Sequence, residues 1–214
     1  MRAAAIRDFR RAVGARIAHV TAAENLPFIK AHGLWSAHDL AAAMTVPANR
    51  LTLRKDRLIL AEGGRRARLN HQRPILRGRA AADRIVDGHT AESWAAALDR
   101  RVYFWPERRI ERFADSIQRE QDIVVLWFDS ERFADVLFDR IELAPINTGN
   151  FTQGGAHARR GDWIYVPLAQ GLDAFRENRR RLLGTTSRDA VAEISLIAGV
   201  PAETLSDLLL EDQP

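Results

Sequence analysis

Asp122-Ile123-Val124-Val125-Leu126-Trp127-Phe128-Asp129 is the most strand-like run in the chain. Its β-branched and aromatic side chains suit a pleated backbone, and no Gly or Pro interrupts them. Apolar residues fall on both faces, which predicts a strand central in a sheet. Ser130 follows as a predicted N-cap for a helix through Phe138. Upstream, Val102-Tyr103-Phe104-Trp105 reads as a second strand, and Pro106 ends it and opens a helix carrying Ile110 and Phe113. Residues 141–146, 163–168 and 191–197 read as further strands, and 16–20 as a short one.

Helices are predicted at 1–13, with Ile6, Phe9 and Val13 on one face, and after Thr90, through Trp94 and Leu98. Thr21 with Glu24 three residues on has the spacing of a capping box. The helix it opens sets Leu26, Ile29 and Lys30 along one side and stops at Gly33. Ser36 caps a short helix through Met44, and two more helices are expected at 173–183 and 202–211. Residues 45–80 read least clearly; a hairpin of 51–53 with 58–60 is the expectation there. The turn 147–150 leads into a polar loop at 151–162. Strands joined by short, irregular connections do not give the βαβ rhythm of a doubly wound fold. The expected class is α+β, a mixed sheet with flanking helices, in one domain over 1–214.

The 214 residues contain no Cys, which excludes disulfides, thiol catalysis and Cys-based zinc sites. Lack of Cys, of a signal-type apolar run near the N-terminus and of a membrane-length apolar stretch leads to the expectation of a soluble, cytoplasmic protein with no membrane partner. The net charge is +4, and with only Lys30 and Lys55 as lysines the excess is carried by Arg. Arg65-Arg66-Ala67-Arg68, Arg108-Arg109, Arg159-Arg160 and Arg179-Arg180-Arg181 are its clusters. Arg suits bidentate contact with phosphate, so a dinucleotide or nucleic acid is the expected partner class. No P-loop, dinucleotide fingerprint, nucleophile elbow or His-Glu-x-x-His run occurs. The six His are scattered with no carboxylate at ligand spacing, so no metal site is expected.

Three segments stand out together: His19-Val20-Thr21 through Asn25-Leu26 to Gly33-Leu34-Trp35-Ser36, Val102 to Arg109, and Ala192-Glu193-Ile194-Ser195-Leu196-Ile197 followed by Gly199-Val200-Pro201. In order and spacing they resemble the DarT-type DNA ADP-ribosyltransferases over most of 16–205. The whole chain also resembles a bacterial family of unknown function with the same landmarks, including Ile141-Glu142-Leu143 and Pro145-Ile146-Asn147 with Gly149. The resemblance implies the ADP-ribosyltransferase-like split sheet, with NAD as co-substrate in a cleft between two small sheets. It implies that His19 bonds the NAD ribose with Thr21 and Asn25 near it, and that Tyr103 and Phe104 line the nicotinamide side. Arg108, with Arg109 as the alternative, meets the pyrophosphate or the target, and Glu193 is the catalytic carboxylate. The implied acceptor is nucleic acid, a DNA base above all, with single-stranded DNA or RNA as the partner; a toxin of this type would also have an antitoxin or immunity partner.

The chemistry is coherent in itself. Breaking the nicotinamide–ribose bond develops positive charge on the ribose, which a fixed carboxylate stabilises while it aligns or deprotonates a nucleophile. By strand alternation Val191, Glu193, Ser195 and Ile197 share one face, a mixed one that suits a solvated edge or a cleft wall. Trp35, Trp163 and Arg159-Arg160 are the residues that would form an aromatic and basic platform for a base. Two other readings remain: an RNA 2′-phosphotransferase-like enzyme, which would rely on Arg and His rather than Glu193, and a non-catalytic nucleotide- or nucleic-acid-binding module.

Overall fold

The computed structural model describes residues 1–76, 83–118, 121–151, 158–184 and 190–210. Of the expected loop at 151–162, residues 152–157 lie outside this set. The protein is α+β. Its main sheet has six strands: β1 (Arg16–Ala22), β5 (Arg101–Pro106), β6 (Ile123–Asp129), β7 (Ile141–Ala144), β8 (Val166–Pro167) and β9 (Glu193–Ile197). Their spatial order is β6-β1-β5-β9-β7-β8, and every neighbouring pair is antiparallel, which corrects the expected mixed sheet to an antiparallel one. Two small ribbons join it. One pairs β2 (Gly33–Leu34) with β10 (Val200–Pro201), and the other pairs β3 (Leu58–Glu62) with β4 (Arg65–Leu69).

One face of the sheet carries the larger core. Helices α1 (Arg2–Val13), α8 (Ser130–Leu137) and α9 (Gly171–Leu183) pack there, and Phe9, Phe133 and Phe175 meet Ile17, Phe104, Phe128, Leu143, Ile194 and Leu196. Directly opposed residues share a face. Phe104 is opposite Ile194, so it is sealed in this core, while its neighbour Tyr103, opposite Ser195, turns to the other face. On that second face α6 (Ala91–Asp99) contributes Trp94 and Leu98, which pack with Tyr103, Ile146 and Tyr165. Thr90 and Ser93 open α6 with a reciprocal capping box.

Several expectations are corrected. The 122–129 strand is not central: β6 is an edge strand. Its second apolar face is half-buried because α7 (Glu107–Gln118) lies over it, bringing Phe113 to stack on Trp105 at 3.8 Å. The C-terminal segment also shields part of the free edge, since the Leu210 N–H donates to the Trp127 carbonyl. Thr21 is not an N-cap; β1 runs on through Ala22, a 3-10 turn at Ala23–Asn25 follows, and α2 (Leu26–His32) buries Phe28 with Ile29 while Lys30 is exposed. Asp129, not Ser130, caps α8, and Ser130 instead donates to the Gly14 carbonyl. Leu51 ends the short helix α4 (Ala48–Leu51), and the hairpin forms from 58–62 and 65–69 around Gly63-Gly64. The 163–168 strand shrinks to β8 after a 3-10 turn.

Strand β1 serves two partners unequally. It pairs with β6 along all seven of its residues, but with β5 only at Ile17↔Pro106 and Ala18↔Trp105. Beyond Ala18 the β1–β5 ladder stops, and α2, β4 and α3 (Ala37–Ala43) fold over the opening. Gly33 makes the closing ribbon feasible. Its φ is +94°, and a Cβ there would sit 2.2 Å from the Val200 carbonyl oxygen. Gly33→Ala is therefore expected to destabilise the fold by roughly 2–4 kcal/mol, through strain and a backbone clash together. Urea unfolding checks this, and a loss under about 0.5 kcal/mol would show the ribbon to be loosely held.

Candidate functional site

The parting of β1 from β5 opens a cavity of about 290 Å³. His19, Val20 and Thr21 of β1 line one wall, Arg101, Tyr103 and Trp105 of β5 the other, and Arg68, Leu69 and Phe28 the roof. Four of the residues singled out from sequence meet here: His19, Thr21, Asn25 and Tyr103.

His19 spans the gap between the walls. Its Nδ1 donates to the Tyr103 carbonyl at 2.8 Å, because a carbonyl can only accept. That bond fixes the tautomer and leaves Nε2 as an acceptor. Burial drives the imidazole down to about 4, partly opposed by the same carbonyl, so the ring is neutral at pH 7. Thr21 and Asn25 carry a structural bond first. Asn25 Nδ2 donates to Thr21 Oγ1 and to the Arg68 carbonyl, both at 2.9 Å, and Asn25 Oδ1 accepts from the Arg68 N–H at 2.6 Å. The Asn25 amide thus acts as a strand partner for β4 and hangs the hairpin over the cavity.

The remaining sequence-derived residues sit elsewhere. Phe104 is fully buried in the main core, 5.7 Å ring to ring from His19, and is not among the cavity-lining residues. Arg108 is exposed in the first turn of α7, as is Arg109, and neither lines the cavity. The arginines that do are Arg54, Arg68 and Arg101. Arg54 forms a buried two-bond pair with Asp99 at 2.6 and 2.9 Å. Arg101 grips Glu142 at 2.7 Å and lies 3.9 Å over the Tyr165 ring. Arg68 pairs with Glu24 at 2.7 Å, and its Nε is buried with no hydrogen-bond partner among the described residues. Of these only Arg68 belongs to the clusters quoted from sequence; Arg54, beside Lys55, and Arg101, beside Arg100, have carboxylate partners more than 40 residues away.

Glu193 stands behind the cavity wall. Strand β9 lies between β5 and β7, so the mixed face expected to be an edge or a cleft wall is interior: Glu193 is 3% exposed and Ser195 1%. Thr148, whose neighbour Gly149 lines the cavity, donates its hydroxyl to Glu193 Oε1 at 2.6 Å. Tyr165 OH donates to Thr148 Oγ1 at 2.8 Å. Desolvation raises the Glu193 carboxyl to about 7, opposed by the Thr148 bonds and by the charges of Arg101 and Arg160. Arg160 is itself fully buried, a correction to its reading as a platform residue. It donates to the Asn150 carbonyl at 2.8 Å and rests 4.3 Å over Phe151, so it braces the loop that carries Thr148. Burial lowers it to about 10, and it stays cationic at neutral pH.

Of the other platform residues, Trp35 lines the β1–β5 cavity, while Trp163 and Arg159 line a second hollow of about 520 Å³, where Arg181 lies 5.2 Å from the Trp163 ring. Among the described residues no group of His, Asp and Glu is placed to hold a metal ion, and no helix is long and apolar enough to cross a membrane.

The pH dependence follows from Glu193. Its folded value of about 7 lies above the ordinary 4.5, so folding favours the protonated acid. That stability is fully present below about pH 4.5 and is lost as pH rises through 7, a difference of roughly 3 kcal/mol at most. Glu193→Gln, which keeps an acceptor for Thr148, is expected to unfold at higher denaturant than wild type at pH 8 and at nearly the same denaturant at pH 4.5. The opposite contribution of His19 is common to both chains and cancels. Equal midpoints at both pH values would contradict the assignment.

Residues 15–206 match a family of unknown function, DUF7002, and the chain belongs to that family. No curated protein and no solved structure matches it.

Proposed function

For this member of the DUF7002 family we propose an NAD-dependent ADP-ribosyltransferase of the DarT type, acting on a nucleic-acid base in single-stranded DNA. The observation that carries the reading is the cavity at the parting of β1 from β5, with His19 on one wall and Tyr103 on the other. A sheet that opens between two strands is what the split-sheet resemblance leads one to expect around NAD. His19, neutral and with Nε2 free to accept, suits a ribose hydroxyl. Arg68 lines the same cavity with a buried Nε–H still to be bonded, which suits a pyrophosphate oxygen better than exposed Arg108 or Arg109 does. Glu193, behind the wall and titrating near neutrality, is the base and the negative charge that the developing ribose cation calls for. Trp163 with Arg159 and Arg181 offers an aromatic and basic surface for the acceptor strand.

One feature favours a second reading. Arg54, Arg68, Arg101 and His71 line the cavity, whereas Glu193 does not. Phosphate-handling groups on the walls with the carboxylate set back fit an RNA 2′-phosphotransferase-like reaction.

The two readings separate on one variant. Protein incubated with NAD and single-stranded DNA, RNA or protein acceptors is assayed for nicotinamide release and for mass added to the acceptor. The expected result is a nucleic-acid adduct that Glu193→Gln reduces by about 100-fold or more. An adduct formed at the full rate by Glu193→Gln would sink the role given to Glu193, and nicotinamide release with loss of phosphate from a 2′-phosphorylated RNA, undiminished in Glu193→Gln, would favour the phosphotransferase.

A further inference from the structure

Glu193 does not line the β1–β5 cavity, yet a continuous run of hydroxyls joins it to a residue that does. Thr148 Oγ1 donates to Glu193 Oε1 at 2.6 Å, and Tyr165 OH donates to Thr148 Oγ1 at 2.8 Å. Tyr103 OH lies 3.2 Å from Tyr165 OH, and Tyr103 forms part of the cavity wall. Three oxygens at hydrogen-bond spacing therefore connect the cavity with a carboxylate that substrate does not touch. We propose that Tyr103, Tyr165 and Thr148 form a proton relay that carries the acceptor's proton from the cavity to Glu193 during ADP-ribosyl transfer.

The relay rests on the transferase reading and deepens it. In that reaction the bond between ribose C1′ and the nicotinamide nitrogen breaks, and its electron pair leaves with nicotinamide. A lone pair of the acceptor forms the new bond to C1′, and the acceptor then carries one proton too many. That proton passes to the Tyr103 oxygen as Tyr103 hands its own to Tyr165, Tyr165 to Thr148, and Thr148 to Glu193 Oε1. Each hydroxyl ends neutral and Glu193 ends as a carboxylic acid, so one proton moves per turnover. After product leaves, the acid returns the proton by the same path.

Two details suit this role. Tyr103 OH has a second acceptor within reach, the Leu98 carbonyl at 3.1 Å. Its proton breaks the run when turned to Leu98 and completes it when turned to Tyr165. Glu193 is also sheltered from water, which limits loss of its proton by any other route. The groups that face Glu193 are the phenols of Tyr103 and Tyr165, the guanidinium groups of Arg101 and Arg160, and the carboxylate of Glu142, which Arg101 and Ser195 hold. Burial drives both phenols up, so they pass a proton on without keeping a charge.

Tyr165→Phe tests the relay cleanly. It keeps the ring that lies 3.9 Å under Arg101 and stacks near Trp94 at 6.1 Å, and removes only the hydroxyl. Nicotinamide release from NAD is measured with a mixed-sequence single-stranded DNA oligonucleotide between pH 5 and pH 9. In the wild type kcat is expected to rise through about pH 7 as Glu193 ionises. In Tyr165→Phe kcat is expected to fall at least ~10-fold and that rise to flatten, with KM for NAD within about twofold. Thr148→Val behaves the same, Thr148→Ser keeps the hydroxyl and restores the rate, and adding Tyr165→Phe to Glu193→Gln slows it no further. A Tyr165→Phe enzyme with the wild-type kcat and pH profile overturns the relay and leaves the transferase standing. A wild-type protein that neither binds NAD by calorimetry nor releases nicotinamide overturns the transferase reading, and the relay with it.

Discussion

The single hydrogen bond from His19 Nδ1 to the Tyr103 carbonyl is the point on which the site depends. Strand β1 pairs with β6 along its whole length on one edge, but on the other it follows β5 for only two residue pairs before the two diverge. A sheet opened in this way exposes strand edges that must find partners or water. The His19 side chain supplies one such partner across the gap. It holds the walls at a fixed spacing while leaving room between them. An imidazole that bridges in this way has to stay neutral, and burial keeps it so.

The second constraint is the polar layer on the opposite face of the same strands. Tyr103, Ser195, Glu142 and Glu193 are brought together by register alone: Tyr103 and Glu142 both oppose Ser195, and Glu193 opposes Ala144 next door. Buried ionisable groups are tolerable only when satisfied. Glu142 meets this through Arg101, while Glu193 has the hydroxyl and N–H of Thr148 and, among the described residues, no ion-pair partner. The difference leaves one carboxylate near its titration point at neutral pH. Arg160, buried and bound to loop carbonyls, contributes to Glu193 at longer range and fixes Thr148 by bracing the loop at Asn150 and Phe151.

Much of this was legible in the residues, for physical reasons. Thr90 at a helix start and Gly33 at a helix end are local signals, and local geometry honoured them. The Val102–Trp105 and Glu193–Ile197 runs became strands because their β-branched and aromatic content suits a pleat. The 122–129 run misled because apolar character on both faces reports cover, not centrality, and here the cover comes from α7. Thr21 misled because a capping-box spacing competes with sheet extension, and pairing to Val124 won. The β3–β4 hairpin hid behind its arginines: Leu60, Ala67 and Leu69 are its buried contacts, and Gly63-Gly64 was the usable signal. Arg54 with Asp99 and Arg101 with Glu142 could not be foreseen, since each pair is made by chain segments that only the fold brings together.

NAD entry between β1 and β5 is the event on which the proposed reaction depends, and the imidazoles can report it directly. The six His of the chain, labelled with nitrogen-15, are followed by NMR as NAD is added. Entry at the proposed place shifts the His19 Nε2 resonance saturably while Nδ1 keeps its proton. Shifts confined to the other imidazoles, with His19 unmoved at saturating NAD, would contradict it.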